Sequence, residues 1–139
     1  MTDLQKTPQW DNLLKLAIEA REYSYSPYSH YKVGAALLTT RGKVFSGCNI
    51  ENAAYTPSNC AERTAIFKAV SAGERDFAAI AVATINGGAP CGICRQVMRE
   101  FAPNLTIIVG NVAGDYQVFR LTDLLPHSFG PENLPPVQL

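Results

Sequence analysis

Three of the four cysteines in this chain fall in two short strings, Cys60-Ala61-Glu62 and Pro90-Cys91-Gly92-Ile93-Cys94. Three thiolates hold a zinc ion and leave its fourth tetrahedral position open to water. Water at zinc ionises near neutral pH, and a carboxylate beside it moves the protons. The residue types therefore point to metal-assisted hydrolysis. Cys60, Cys91 and Cys94 are the candidate ligands, and Glu62, two positions after the first, is the candidate proton shuttle.

The spacing is as informative as the types. Adjacent residues cannot span a tetrahedron, so ligands must come from two chain segments; here 27 residues separate Glu62 from Pro90. Cys91 and Cys94 are three apart and share one face of a helix. Other readings compete. Cys-x-x-Cys alone suits structural zinc or a redox pair. Asn59-x-x-Glu62 fits a capping box, in which Glu62 would only satisfy a backbone donor. A closed structural site would need a fourth ligand, for which Cys48 is the candidate, although it falls on an apparent strand outside both strings. Neither His30 nor His127 has ligand spacing to them. A disulfide framework fits poorly, because 139 residues supply a core without one.

The elements that must position these residues are readable from pattern. Trp10, Leu13, Leu14, Ala17 and Ile18 recur at helical spacing and predict a helix over 9–22. Residues 23–31 read as an aromatic, polar loop. A buried strand over 33–39, the turn at Arg41-Gly42 and a returning strand over 43–49 make a hairpin. After a loop over 52–59, a helix starts near Cys60 and runs to about Ala72, with Gly73 suited to its C-terminal cap. A strand over 77–84, a loop at Asn86-Gly87-Gly88 and a helix from Cys91 to before Pro103 follow. Strands over 105–110 and 116–120 flank a turn at Ala113-Gly114-Asp115, and 121–125 suits one helical turn. That order predicts an α/β sandwich with helices covering a mixed sheet. Both cysteine strings open helices, whose N-termini favour thiolates.

Composition narrows the partners. The length fits one domain over 1–139, with a proline-rich tail from about 130 that reads as loosely ordered. Formal net charge is zero and no basic run occurs, so no electrostatic footprint for a polynucleotide is present. The expectation is a small-molecule substrate, without nucleic acid. No apolar run approaches membrane-spanning length, and the first residues do not read as a signal peptide. With free thiols at a metal site, these features give a cytoplasmic expectation.

At this point the chain resembles the small homotetrameric cytidine deaminases. The two strings match the zinc nucleobase deaminase signature, which permits three cysteines. The likeness extends to the stretches 28–37, Gly47-Cys48-Asn49-Ile50-Glu51-Asn52-Ala53-Ala54-Tyr55, Cys60-Ala61-Glu62-Arg63-Thr64-Ala65, Pro90-Cys91-Gly92-Ile93-Cys94-Arg95-Gln96 and Leu124-Leu125-Pro126. The resemblance implies a three-layer sandwich around a mixed five-stranded sheet. It implies one zinc per chain and hydrolytic deamination of cytidine and deoxycytidine, in pyrimidine salvage, with ammonia released. It assigns Asn49 and Glu51 to the ribose and Tyr31, at a position often Phe, to a place beside the substrate. Ala61 falls among the substrate-binding positions, with Tyr55 and Phe129 where neighbouring subunits complete one another's sites. It places Arg63 or Arg95 against the ligand sulfurs, where hydrogen bonds would draw charge from a centre of formal charge −1.

Without the resemblance, Asn49 and Glu51 could simply face solvent at a strand end. Tyr31 and Phe129 could be ordinary core aromatics, and Arg63 a surface ion-pair residue. Three other functions compete. One is deamination of a different cytosine-bearing small molecule such as blasticidin S. Another is editing of a base within nucleic acid, which the neutral charge disfavours. The third is a structural zinc module without activity.

Overall fold

The computed structural model describes residues 5–136. Helix α1, Pro8–Arg21, starts where Thr7 caps it: the Thr7 hydroxyl accepts from the Trp10 N–H at 3.2 Å. Five strands follow, β1 (Gly34–Thr39), β2 (Val44–Cys48), β3 (Phe77–Thr84), β4 (Thr106–Asn111) and β5 (Tyr116–Arg120). They form one sheet in the order β2-β1-β3-β4-β5. Only β3 and β4 pair parallel; the other neighbours are antiparallel. Helix α2 (Ala61–Ser71) links β2 to β3, α3 (Gly92–Phe101) links β3 to β4, and α4 (Leu121–Leu124) follows β5.

The period-2 alternation of the strands sorts the core into two layers. Ala36, Ala79, Ala81, Ala83 and Ile108 face α1, where they meet Leu13, Leu14 and Ala17. Leu37, Ile80, Ile107 and Val109 face the other way, against Ala65, Ile66 and Met98 of α2 and α3. Small side chains dominate the α1 layer, so that helix lies close on the sheet. The predicted three-layer α/β sandwich with a mixed five-stranded sheet is what forms.

Topology then brings the two cysteine strings together. Since β1 runs antiparallel to both β2 and β3, strands β2, β3 and β4 all point the same way. Both α2 and α3 leave the carboxyl ends of such strands, so both begin at one edge of the sheet. That edge is where open α/β sheets bind ligands. Gly47 sets the depth of α2: a Cβ there would stand 2.6 Å from the Ala61 carbonyl oxygen and from the Ala65 nitrogen. A side chain at that position would lift the start of α2 off β2, and with it the residues the site needs.

Predicted boundaries agree within one or two residues at most ends, the usual fraying. Two readings are corrected. Asn59 does not form a capping box with Glu62; Cys60 is the N-cap of α2, and the Asn59 amide donates to Thr64 Oγ1 at 3.2 Å. The tail is not loose where it leaves α4. Pro131–Asn133 form a single 3-10 turn. Arg99 ion-pairs with Glu132 and donates to Ser128 Oγ at 2.7 Å, which clamps this segment to α3. Residues 1–4 and 137–139, which carry part of the start and of the tail read above, lie outside the described residues.

Candidate active site

Cys60 and Cys91 are the N-caps of α2 and α3, both with extended backbone, and Cys94 lies one turn into α3. The three Sγ atoms lie within 4.8 Å of one another. Cys60 Sγ and Cys91 Sγ are 3.8 Å apart. Zinc–sulfur bonds of about 2.3 Å place two ligands of a tetrahedron about 3.8 Å apart, so the spacing fits a zinc ion. Among the described residues no fourth His, Cys, Asp or Glu joins the group. Cys48, at the end of β2, instead lines a separate hollow beside α1 and Lys68. The donor set is therefore three thiols with one position left over, the arrangement of a catalytic rather than a closed structural site.

The surroundings favour the thiolate at Cys60. The hydrogen bond from the Cys94 thiol, and then the Arg63 guanidinium, hold Cys60 well below the usual thiol range. Arg63 Nη2 donates to Cys60 Sγ at 3.3 Å. Arg95 does something else. Its Nε donates to the Pro90 carbonyl at 2.8 Å and its Nη1 to the Leu124 carbonyl at 2.7 Å. Of the two arginines, Arg63 is thus the one bonded to a ligand sulfur, and Arg95 ties the main chain before Cys91 to the end of α4.

Glu62 is 3% exposed. Burial pushes its carboxyl up to about 7, helped by the charge on Cys60. A carboxyl that shares its proton near neutrality is suited to taking one and giving it back.

Above the thiols opens a cleft of about 340 Å³, a size ordinary for a small-molecule site. Cys60, Glu62, Arg63 and Cys91 line one part of it, and Ser29, Tyr31, Asn49 and Glu51 another. Asn49 and Glu51 do not merely face solvent. Asn49 Oδ1 accepts from the Val33 N–H at 2.9 Å and from the Ser24 hydroxyl, while Nδ2 donates to the Tyr31 carbonyl at 2.8 Å. Glu51 accepts from the N–H groups of Tyr28 and Ser29 at 2.9 and 3.1 Å and from the Ser29 hydroxyl. The Ser29 hydroxyl, with these amides, holds the Glu51 carboxyl below its usual range. Both residues grip the loop before β1 and keep spare capacity: one Nδ2 hydrogen on Asn49 and free lone pairs on Glu51. His30, between Ser29 and Tyr31, has φ of +58°. That left-handed turn lets both its neighbours line the cleft.

Three predicted residues lie away from this cleft. Ala61 is wholly buried in the core and is not among the residues that line the cleft. Tyr55 is 72% exposed and packs edge-on against Tyr28 with ring centroids 6.1 Å apart. Phe129 is 58% exposed, held through its carbonyl by Gln96 Nε2 at 2.9 Å. The sequence reading missed Ser24 and Ser29, whose only signal was their place in a polar loop. It also missed Thr84, at the end of β3.

What this arrangement can do is hydrolysis at a metal-activated water with one buried acid–base group, which places the protein in the class of zinc-dependent hydrolases. The comparisons narrow the class. Residues 8–110 match the family described as the cytidine and deoxycytidylate deaminase zinc-binding region. The chain is 53% identical over 125 residues to a cytidine deaminase of Halalkalibacterium halodurans, covering 88% of this chain and 95% of that one. It is 47% identical to a cytidine deaminase of Sporosarcina psychrophila, covering 89% and 93%. The crystal structure of cytidine deaminase from Burkholderia pseudomallei superposes with a TM-score of 0.83 at 53% identity, covering 89% of this chain and all of that one. The chain belongs to the cytidine and deoxycytidylate deaminase family.

Proposed function

We propose that this protein hydrolyses cytidine and deoxycytidine to uridine and deoxyuridine and releases ammonia. The observation that carries the reading is the meeting in one cleft of a three-thiol cluster, the buried Glu62 carboxyl and the polar pair Asn49 and Glu51. Cys60, Cys91 and Cys94 would hold a zinc ion, which would supply a water that ionises near neutral pH. Glu62 would take the two protons of the attacking water in turn, passing the first to ring N3 and the second to the departing amine, so that ammonia leaves and the water oxygen stays on the ring as the carbonyl. Arg63 draws charge from Cys60 through its hydrogen bond, which offsets the three anionic ligands. Asn49 and Glu51 hold the sugar hydroxyls with the bonding capacity the loop leaves them. Tyr31 walls the cleft beside the substrate.

An ultraviolet assay with cytidine, deoxycytidine, cytosine and CMP tests the reading. Both nucleosides should turn over, and free cytosine should be disfavoured by about 10²-fold or more, because a site built to bond a hydroxyl rejects an analogue lacking it. CMP should be poor, since its phosphate would approach the Glu51 carboxylate. Equal efficiency on cytosine and cytidine would remove Asn49 and Glu51 from the sugar-binding role.

We place the working form as a homotetramer, in the cytoplasm and in salvage of pyrimidines, with the whole of 1–139 acting as one domain. Tyr55, Phe67, Ile50 and Phe129 are all exposed on the single chain, and Ile50 and Phe67 line one shallow hollow that a second copy could cover. Tyr55 and Phe129 are the residues we assign to neighbouring sites. No helix among the described residues is long and apolar enough to cross a membrane. Light scattering near four times the 15.1 kDa chain mass is the expected result; a fully active monomer would end the shared-site assignment.

A further inference from the structure

Tyr31 differs from a plain aromatic wall in carrying a hydroxyl, and that hydroxyl is engaged. It donates to Asn86 Oδ1 at 2.6 Å, across 55 residues of sequence. Asn86 Oδ1 also accepts from Thr84 Oγ1 at 3.4 Å, and Thr84 Oγ1 accepts from the Gly88 N–H at 2.9 Å. The directions are consistent: each hydroxyl donates once toward the amide oxygen, and the peptide N–H closes the chain. Thr84 is 2% exposed at the end of β3, and its carbonyl accepts from the Val112 N–H at 3.1 Å, so the network ends on a fixed point. A second observation is independent of these bonds. A Cβ on Gly88 would stand 2.6 Å from the Tyr31 hydroxyl oxygen. Gly88 has no left-handed backbone to favour glycine; a side chain there would instead have to displace the phenol oxygen.

Tyr31 is also fixed at its main chain. Its carbonyl accepts from Asn49 Nδ2 at 2.8 Å and its N–H donates to Ser29 Oγ at 3.0 Å. The side chain therefore joins two walls of the cleft. One is the loop gripped by Asn49 and Glu51. The other is the segment that enters Pro90 and Cys91 two residues after Gly88.

We infer that the Tyr31 hydroxyl, Asn86, Thr84 and Gly88 form a strap that fixes the width of the cleft, holding the sugar-side loop in register with the segment that carries Cys91. Tyr31 and Asn86 are positioning residues in this role. The inference deepens the nucleoside deaminase reading and rests on it for its kinetic consequence, although the strap itself does not. A loose strap leaves the thiols and Glu62 in place but makes substrate binding organise the walls. The loss falls mainly on KM.

The test is a set of variants of the full chain, measured for KM, kcat, zinc content and amide hydrogen exchange over 85–89. Tyr31→Phe and Asn86→Ala should each raise KM for cytidine by about 3- to 10-fold, the range of one lost hydrogen bond, with a smaller change in kcat and full zinc content. Their double variant should be no worse than the worse single one, because both break one strap. Asn86→Asp keeps an acceptor oxygen and should retain most of the affinity. Gly88→Ala should raise KM in the parent and do so less in Tyr31→Phe, where the oxygen it meets is gone. Exchange of the 86–88 amides should quicken in Tyr31→Phe. Additive effects of Tyr31→Phe and Asn86→Ala, or an unchanged KM with unchanged exchange in Tyr31→Phe, would overturn the strap. If the parent released no ammonia from cytidine, the substrate reading would fall, while the exchange comparison would still decide the strap by itself.

Discussion

Glu62→Gln is expected to lower kcat by at least about 10²–10⁴, the ordinary worth of one general acid–base group, while zinc content and fold are kept. The loss should lie toward the top of that range or beyond, because the mechanism asks Glu62 for more than one proton transfer and, among the described residues, no other carboxyl lines this part of the cleft. The amide is close in shape and takes the same space, but it neither accepts nor returns a proton at neutral pH. The stability readout separates this from structural damage. Glu62 is buried with its carboxyl pushed up toward neutrality by that burial, so a neutral isostere removes a desolvation cost and not a favourable ion pair. The thermal midpoint should therefore hold or rise as activity disappears. A helix-cap role would give the reverse pattern, with activity kept and stability lost by about 1 kcal/mol. Activity within tenfold of the parent would end the shuttle assignment.

The parts of the site that were legible in sequence are those set by local spacing. Cys60, Glu62, Cys91 and Cys94 stand out because ligand chemistry restricts residue type and helix geometry restricts spacing. The bounds of β3 and β5 were legible because continuous or alternating apolar runs end at clear turn signals, including Ala113-Gly114-Asp115, a turn that Asn111 Oδ1 closes by accepting from the Ala113 and Asp115 N–H groups. What the sequence left open depends on contacts between distant segments. Arg63 lies three residues after Cys60 and reaches its sulfur along the same helix face. Arg95 has equally good spacing to Cys91, yet the Leu124 carbonyl, 29 residues on, captures it. No local pattern distinguishes the two. The same holds for Asn49, whose amide is engaged by a loop it does not belong to, and for the tail, where Gly and Pro composition reads as loose but Arg99 supplies an anchor from α3. The polar strings were read as ligand-facing or solvent-facing, when much of their bonding serves to hold the cleft walls.

Cys91→Ala is expected to remove zinc and activity together, whereas Cys48→Ala keeps one zinc per chain and the parent rate. The pair is a sharp comparison because both lose one sulfur and neither side chain is deep in the core. Cys91 is exposed at the start of α3, so its removal costs little packing. Its sulfur stands 3.8 Å from Cys60 Sγ within the cluster. Even residues that only orient ligands are worth 10- to 100-fold in metal affinity, so loss of a ligand itself should weaken binding by more than about 10²-fold. Cys48 lies outside the cluster, and its partial burial raises its thiol rather than favouring the anion a metal would need. Metal analysis after dialysis against a chelating buffer reads the difference, with ammonia release from cytidine as the second measure. Because bound metal adds to folding free energy, the parent and Cys48→Ala should also melt higher with zinc than after its removal, and Cys91→Ala should show little such shift. Zinc retained by Cys91→Ala, or lost by Cys48→Ala, would replace the open three-thiol site with a closed one that includes Cys48. Glu62 would then sit beside a metal with no position left for water.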